Sequence, residues 1–119
     1  MTLLIRPWND LDRHASGRFN AVCDSSCRIT LTGELDITQL DTLRGVLDEA
    51  LDRSGGPIQI DASGLSFIDQ SAIAELLRYK LLAASRRRRL WLDPVSDPVW
   101  MLVDMFDLHH ILGPLGVTT

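Results

Sequence analysis

The tetrapeptide Asp69-Gln70-Ser71-Ala72 sets a hydroxyl two residues after a carboxylate. An aspartate ahead of an apolar-periodic run reads as a helix cap, which puts Ser71 in a first helical turn. Backbone N–H groups at that end lack intrahelical partners, and the helix dipole turns its positive end there. A phosphate esterified to Ser71 would be tolerated by that field and would add about −1.5 to −2 charges to the surface. The chemistry that fits this serine is phosphoryl acceptance. Nucleophilic catalysis would need a base, and none is evident beside it. The chain also has no G-x-S-x-G motif and no phosphate-binding glycine loop.

Other reactive side chains are sparse. His14, His109 and His110 fall at no metal-ligand spacing with Cys, Asp or Glu. Neither a metal nor a cofactor is expected, and the histidines read as surface or helix-end residues. Cys23 and Cys27 flank a turn and read as free thiols, with a redox clip across the turn as the alternative. Asp61 follows a strand pattern, where a phospho-aspartate receiver would hold its acceptor. Glu34 and Asp36 could then mimic the receiver's acid pair. The chain's one lysine, Lys80, falls within a helix pattern instead of ending a strand. Asp61 is therefore read as a loop organiser that accepts backbone N–H bonds. Trp91 reads as core or sheet face. Trp100 with Met101 and Met105 reads as core, or as a sticky patch suited to a partner or a homodimer contact.

The elements that must position Ser71 follow from periodicity. Residues 18–23 and 27–33 are two β-prone runs around Asp24-Ser25-Ser26, a hairpin pattern with Phe19, Ala21, Ile29 and Leu31 on one face. After Gly33-Glu34-Leu35-Asp36-Ile37 a helix is expected, capped by Thr38 with Asp41 as a weak box. Leu40, Leu43, Leu47, Ala50 and Leu51 would form its stripe. Ser54-Gly55-Gly56-Pro57 stops it. Residues 57–61 read as a short strand and residues 62–68 as a loop. Asp69 caps a helix running to about Ser85, with Ile73, Leu76, Leu77, Leu81 and Ala84 as its stripe and four arginines closing its last turn. Leu90-Trp91-Leu92 is a strand broken by Pro94. Asp97-Pro98 opens a last helix that ends before Gly113. Hairpin, helix, strand, helix, strand, helix is an α/β order with a largely parallel sheet and helical crossovers. Residues 1–17 read as a lead strand or an N-terminal extension, and 18–119 as the domain.

The chain has 119 residues, 45% hydrophobic and 24% charged, the composition of one globular domain. Its net charge of −4 gives no general affinity for nucleic acid or anionic membrane. No apolar run reaches the ~18–20 residues that span a bilayer, and the start is too short and too soon interrupted for a secretory signal. A cytoplasmic protein without membrane insertion is expected. The charge is uneven: residues 34–61 hold seven acids and two arginines, and residues 78–89 hold five arginines, one lysine and no acid. Both stretches read as solvated surfaces able to steer a partner.

Gly33-Glu34-Leu35-Asp36 after a strand, followed beyond a helix by Ile60-Asp61-Ala62-Ser63-Gly64-Leu65-Ser66-Phe67-Ile68-Asp69-Gln70-Ser71-Ala72, resembles the STAS domain. More narrowly it resembles the bacterial anti-sigma factor antagonists. The resemblance runs over roughly residues 18–112 and implies a STAS-like sheet of four to five mixed strands with helices packed on it. It also implies a regulator that, unphosphorylated, docks onto an anti-sigma factor serine kinase and is released by phosphorylation. A serine phosphatase reverses the event. The family's acceptor serine falls on Ser71 and its motif aspartates on Asp36 and Asp69. Gln70 and Ile73 beside them would complete the partner-binding surface. Gln70 replaces the family's first serine and Ala72 its glycine. Other members act without phosphorylation, as scaffolds in stress complexes or as small subunits of lipid-transport ATPase complexes.

Overall fold

The computed structural model describes residues 11–16, 18–53 and 55–112. Five strands form one sheet in chain order: β1 (Leu11–Ser16), β2 (Phe19–Asp24), β3 (Arg28–Leu35), β4 (Ile58–Ile68) and β5 (Leu90–Val95). Strand β2 pairs antiparallel with both β1 and β3, and β3, β4 and β5 run parallel. The parallel pairs require crossovers, which α1 (Leu40–Asp52) and α2 (Gln70–Ser85) supply. A third helix, α3 (Asp97–Met105), follows β5 and leads to a short 3-10 turn, His109–Ile111. This is the mixed α/β sheet expected from the order of elements.

The β2–β3 hairpin closes where three turn-forming residues stand. Asp24 Oδ1 accepts from Ser26 N at 2.9 Å, Ser26 Oγ at 2.7 Å and Arg28 N at 3.0 Å. Phe19, Ala21, Cys23, Ile29 and Leu31 alternate into the core, and the intervening residues stay half-buried on the opposite face. Cys23 and Cys27 are buried and unbonded to each other, and burial pushes the Cys23 thiol up to about 11. Leu43, Val46, Leu47, Ala50 and Leu51 of α1 complete one side of the core, with Leu40 only half-buried.

Four readings from the sequence need correction. Residues 62–68 are not a loop: β4 continues through them, because β3 keeps pairing across two register shifts, Thr32 with Gly64 and Leu35 with Ile68. Gly64 permits that close pairing with β3, and Gly33 permits a close approach on the other edge of β3, at the start of β2. A Cβ on Gly64 would lie 2.7 Å from Thr32 Cγ2. Gly33, at φ +97°, would set a Cβ 1.7 Å from the Arg18 carbonyl oxygen. Pro94 does not end β5, which pairs on to Val95. Proline is tolerated there because it lies in the last strand of the sheet order. The apolar stripe of α2 is Ala72, Ile73, Leu76, Tyr79 and Ala83, while Leu81 is 71% exposed and Ala84 is exposed. The last helix ends at Met105, and its N-cap position is Ser96, one residue earlier than expected and with a side chain that makes no capping bond.

The arginine run is not simply a solvated helix end. Arg88 is 7% exposed. Its Nη1 donates to the carbonyls of Ala50, Leu51 and Arg53 at 3.1–3.2 Å, and its Nε to that of Gly56 at 2.9 Å. Helix α1 has no basic residue in its own last turn. Arg88 supplies that charge from a distant segment and satisfies carbonyls the helix leaves open. Between the two helices, Glu75 accepts from Arg44 Nε at 2.8 Å and Arg78 Nη2 at 2.6 Å, bonds that hold its carboxyl below the usual range. Tyr79 donates to Asp48 Oδ1 at 2.6 Å.

Arg88→Ala should therefore cost about 2–4 kcal/mol in urea unfolding, since it strips buried carbonyls of a charged donor. Arg89→Ala, one residue on and exposed, should cost less than about 1 kcal/mol. Equal losses for the two would contradict this account.

Candidate functional site

The carboxyl ends of β3 and β4 bring the two sequence motifs together. Leu35 and Ile68 pair in register, and Asp69 N donates to Leu35 O at 3.2 Å. The chain after each strand therefore starts from a shared anchor. On one side the chain turns through Asp36 into a 3-10 turn, Ile37–Gln39, that precedes α1. Asp36, not Thr38, is the cap. Asp36 Oδ1 accepts from Thr38 N at 2.8 Å and from Thr38 Oγ1 at 2.5 Å, and Gln39 Oε1 accepts from Asp36 N at 3.1 Å. This is a full capping box shifted two residues upstream of the one expected.

On the other side Asp69 caps α2 as expected. Its Oδ1 accepts from Ala72 N at 3.0 Å and from Ser71 Oγ at 2.6 Å. Its Oδ2 accepts from Ile37 N at 3.0 Å. One carboxylate thus ties the turn after β3 to the first turn of α2. Ser71 is half-buried, and Asp69 orients its hydroxyl. Gln70 is exposed beside it. Ala72 is fully buried, so the methyl group that distinguishes it from glycine points into the core and leaves the approach to Ser71 unobstructed.

Ile73 does not join this surface. It is 2% exposed and packs in the core, because it continues the inward stripe of α2; Ile68 is buried as well. The exposed apolar groups are Ile37, at 64%, and Phe67, at 48%. Sequence reasoning missed both. Phe67 was hidden by reading residues 62–68 as a loop. With β4 extended, Phe67 falls opposite the inward-facing Ile68 and is turned out. Phe67 also forms one wall of a largely apolar groove of about 340 Å³ completed by Ile68, Pro98, Met101, Leu102 and Met105, with Asp97 as its one charged residue. Met101 and Met105, named from the sequence, are exposed there, with Trp100 and Phe106 exposed on the same helix end.

The alternative chemistries find little support in the geometry. Asp61 lies within β4 and not at its end. It is held by Ser63 N at 2.9 Å, Ser63 Oγ at 2.6 Å and Arg28 Nη2 at 3.2 Å, and these donors keep its pKa low. Lys80 donates to Leu90 O at 3.0 Å, far along α2 from those acids. Among the described residues no group of three His, Cys, Asp or Glu side chains is placed to hold a metal ion. No helix among them is long and apolar enough to cross a membrane. His14 and Trp8 have side chains outside the described residues.

Removing the Asp69 carboxylate should unfasten both turns. Asp69→Ala is expected to cost about 1–2 kcal/mol in chemical denaturation. Asp69→Asn, which keeps an acceptor for Ala72 N, should cost about half as much. An Asn variant as unstable as the Ala variant would show that charge, not the capping bond, carries the effect.

Two comparisons with known proteins bear on this site. No curated protein matches the chain significantly. Residues 21–114 match the STAS_2 family model, described as "Mlab, STAS domain". That span takes in the hairpin, the β3–β4 pair with both capped turns, and α3, and this chain belongs to the STAS_2 family.

Proposed function

We propose that this protein is a regulatory docking module whose surface around Ser71 binds an anti-sigma factor serine kinase and is switched off when Ser71 is phosphorylated. The observation that carries the reading is Ser71 itself, half-buried at the start of α2 with its Oγ donating to Asp69 Oδ1 at 2.6 Å. Docking is favoured by what surrounds it. Ile37, Phe67 and Gln70 give an exposed, largely neutral rim suited to burial against another protein.

Phosphoryl transfer to Oγ removes the proton that Asp69 accepts and sets a dianion against that same carboxylate. Two unit charges about 4 Å apart interact by about 4 kcal/mol at the effective dielectric near a protein surface. The helix N-terminus returns at most ~2 kcal/mol to the phosphate. Repulsion therefore wins. It acts on the group that fastens Ile37, so the rim of the interface loosens as its charge rises. Desolvating the new dianion in the complex adds to the penalty. At ~1.4 kcal/mol per tenfold, a 10²-fold loss of affinity needs less than 3 kcal/mol of this.

A second reading, a phosphorylation-independent subunit of a stress-signalling or ABC transport complex, is favoured by one observation. The groove between Phe67 and α3 is apolar apart from Asp97, and Ser71 is not among the residues lining it.

Incubation with such a kinase and ATP should add one phosphate that maps to Ser71, and Ser71→Ala should abolish it. A serine phosphatase should remove it. Ser71→Glu, with a single charge, should weaken kinase binding at least tenfold while shifting the melting temperature little. Unchanged labelling of Ser71→Ala would sink the switch. Partner binding indifferent to both Ser71 variants but lost in Phe67→Ala or Met101→Ala would select the second reading.

A further inference from the structure

Among the described residues a cationic cleft lies away from Ser71. At the far end of α2 a cleft of about 270 Å³ opens, lined by Lys80, Leu81, Arg89, Trp91 and His110 and by no carboxylate. Ten residues of helix separate Ser71 from Leu81, about 15 Å of rise. Lys80 Nζ bonds only the Leu90 carbonyl, and burial with the Arg89 charge holds it below the ordinary lysine range. The Arg89 guanidinium lies over the Trp91 ring at 5.6 Å. Among the described residues neither Lys80 nor Arg89 has an acidic partner. Arg88 adds its charge behind the cleft, with its own donors spent on carbonyls. Two cations held together beside apolar surface, with no counter-charge, form half of an ion-paired interface.

The other half lies next to it on the same molecule. From residue 97 to 107 the chain carries Asp97, Asp104 and Asp107 and no lysine or arginine. Trp100, Met105 and Phe106 are exposed among them. His109 joins the two regions. Its ring stands 5.2 Å from Trp100 and its Nε2 3.2 Å from Asp104 Oδ1, while the next residue, His110, lines the basic cleft. A basic apolar half and an acidic apolar half on one continuous surface complement their own copy when a two-fold axis passes between them. A small anion accounts for less of this charge, because the basic run from Arg78 to Arg89 extends past the cleft.

We infer that two copies of this chain pair through this surface, the Asp104 and Trp100 side of each seated on the Lys80, Leu81 and Arg89 cleft of the other. The contact repeats twice per dimer. Ser71 and Asp69 are not among its residues, so a dimer leaves the Ser71 of each copy free, while Met105 is shared with the groove beside Phe67.

Sedimentation equilibrium of the full chain tests this. At about 50 mM salt the wild type should form a dimer, and raising salt to about 500 mM should weaken it at least tenfold. Arg89→Glu alone and Asp104→Lys alone should each weaken self-association at least tenfold, with unchanged circular dichroism, because each sets like charges together at both contacts. A mixture of the two variants should restore a heterodimer of near wild-type affinity, since each contact is again opposite in sign. A monomer at about 0.5 mM protein, where a Kd up to ~1 mM would still register, would overturn the inference. So would a dimer indifferent to both variants, or a mixture that fails to associate. Growth beyond a dimer would overturn the two-fold arrangement. None of these outcomes bears on phosphate labelling of Ser71, which stands or falls separately.

Discussion

A single carboxylate joins the two turns on which this domain's surface chemistry depends. Asp69 takes an N–H from the turn after β3, an N–H from the first turn of α2, and the hydroxyl of Ser71. All three donors would otherwise lack partners at the sheet's carboxyl edge. Satisfying them together fixes how the two crossovers leave the sheet. It also makes the serine and the turn around Ile37 parts of one structure, so a change at Oγ acts on both.

That placement explains how a fold with sparse catalytic side chains can still carry a signal. Parallel strands deliver the ends of β3 and β4 side by side, and α2 begins there with its positive pole outward. Any group transferred to Ser71 meets favourable N–H groups and one unfavourable carboxylate. Under the switch proposed above, a modification of that one oxygen would change how two loops are held.

The charged segments follow a second logic. Opposite charges are collected in runs along the chain, and the fold divides each run between interior and surface. In the basic run, Arg88 turns inward to cap α1, while Lys80 and Arg89 stand over a cleft. In the acidic run, Asp36 and Asp61 are occupied as turn organisers, and Asp48 anchors Tyr79 across the helix pair; burial, together with this bond, pushes that phenol up to about 12. The charges left without such partners mark the surfaces available for association.

Much of the architecture was legible in the chain. Alternation in residues 19–31 identified the hairpin, the spacing of leucines in residues 43–51 identified α1, and Asp69 announced the cap of α2, because these patterns reflect local geometry that neighbours only reinforce. The site motifs were legible for the same reason, since a cap and the residues after it are fixed within one turn of chain. What the sequence could not disclose was decided by partners distant along it. The length of β4 depended on β3 continuing to pair past two glycines. The inward turn of Arg88 depended on the open carbonyls of a helix some 35 residues earlier. The exposure of Ile37 and Phe67, against the burial of Ile73, depended on which face of each element the packed sheet had already claimed. Composition and periodicity specify which residues prefer burial. Only tertiary packing decides which of them are covered, because the area available in the core is smaller than the apolar surface the chain brings to it.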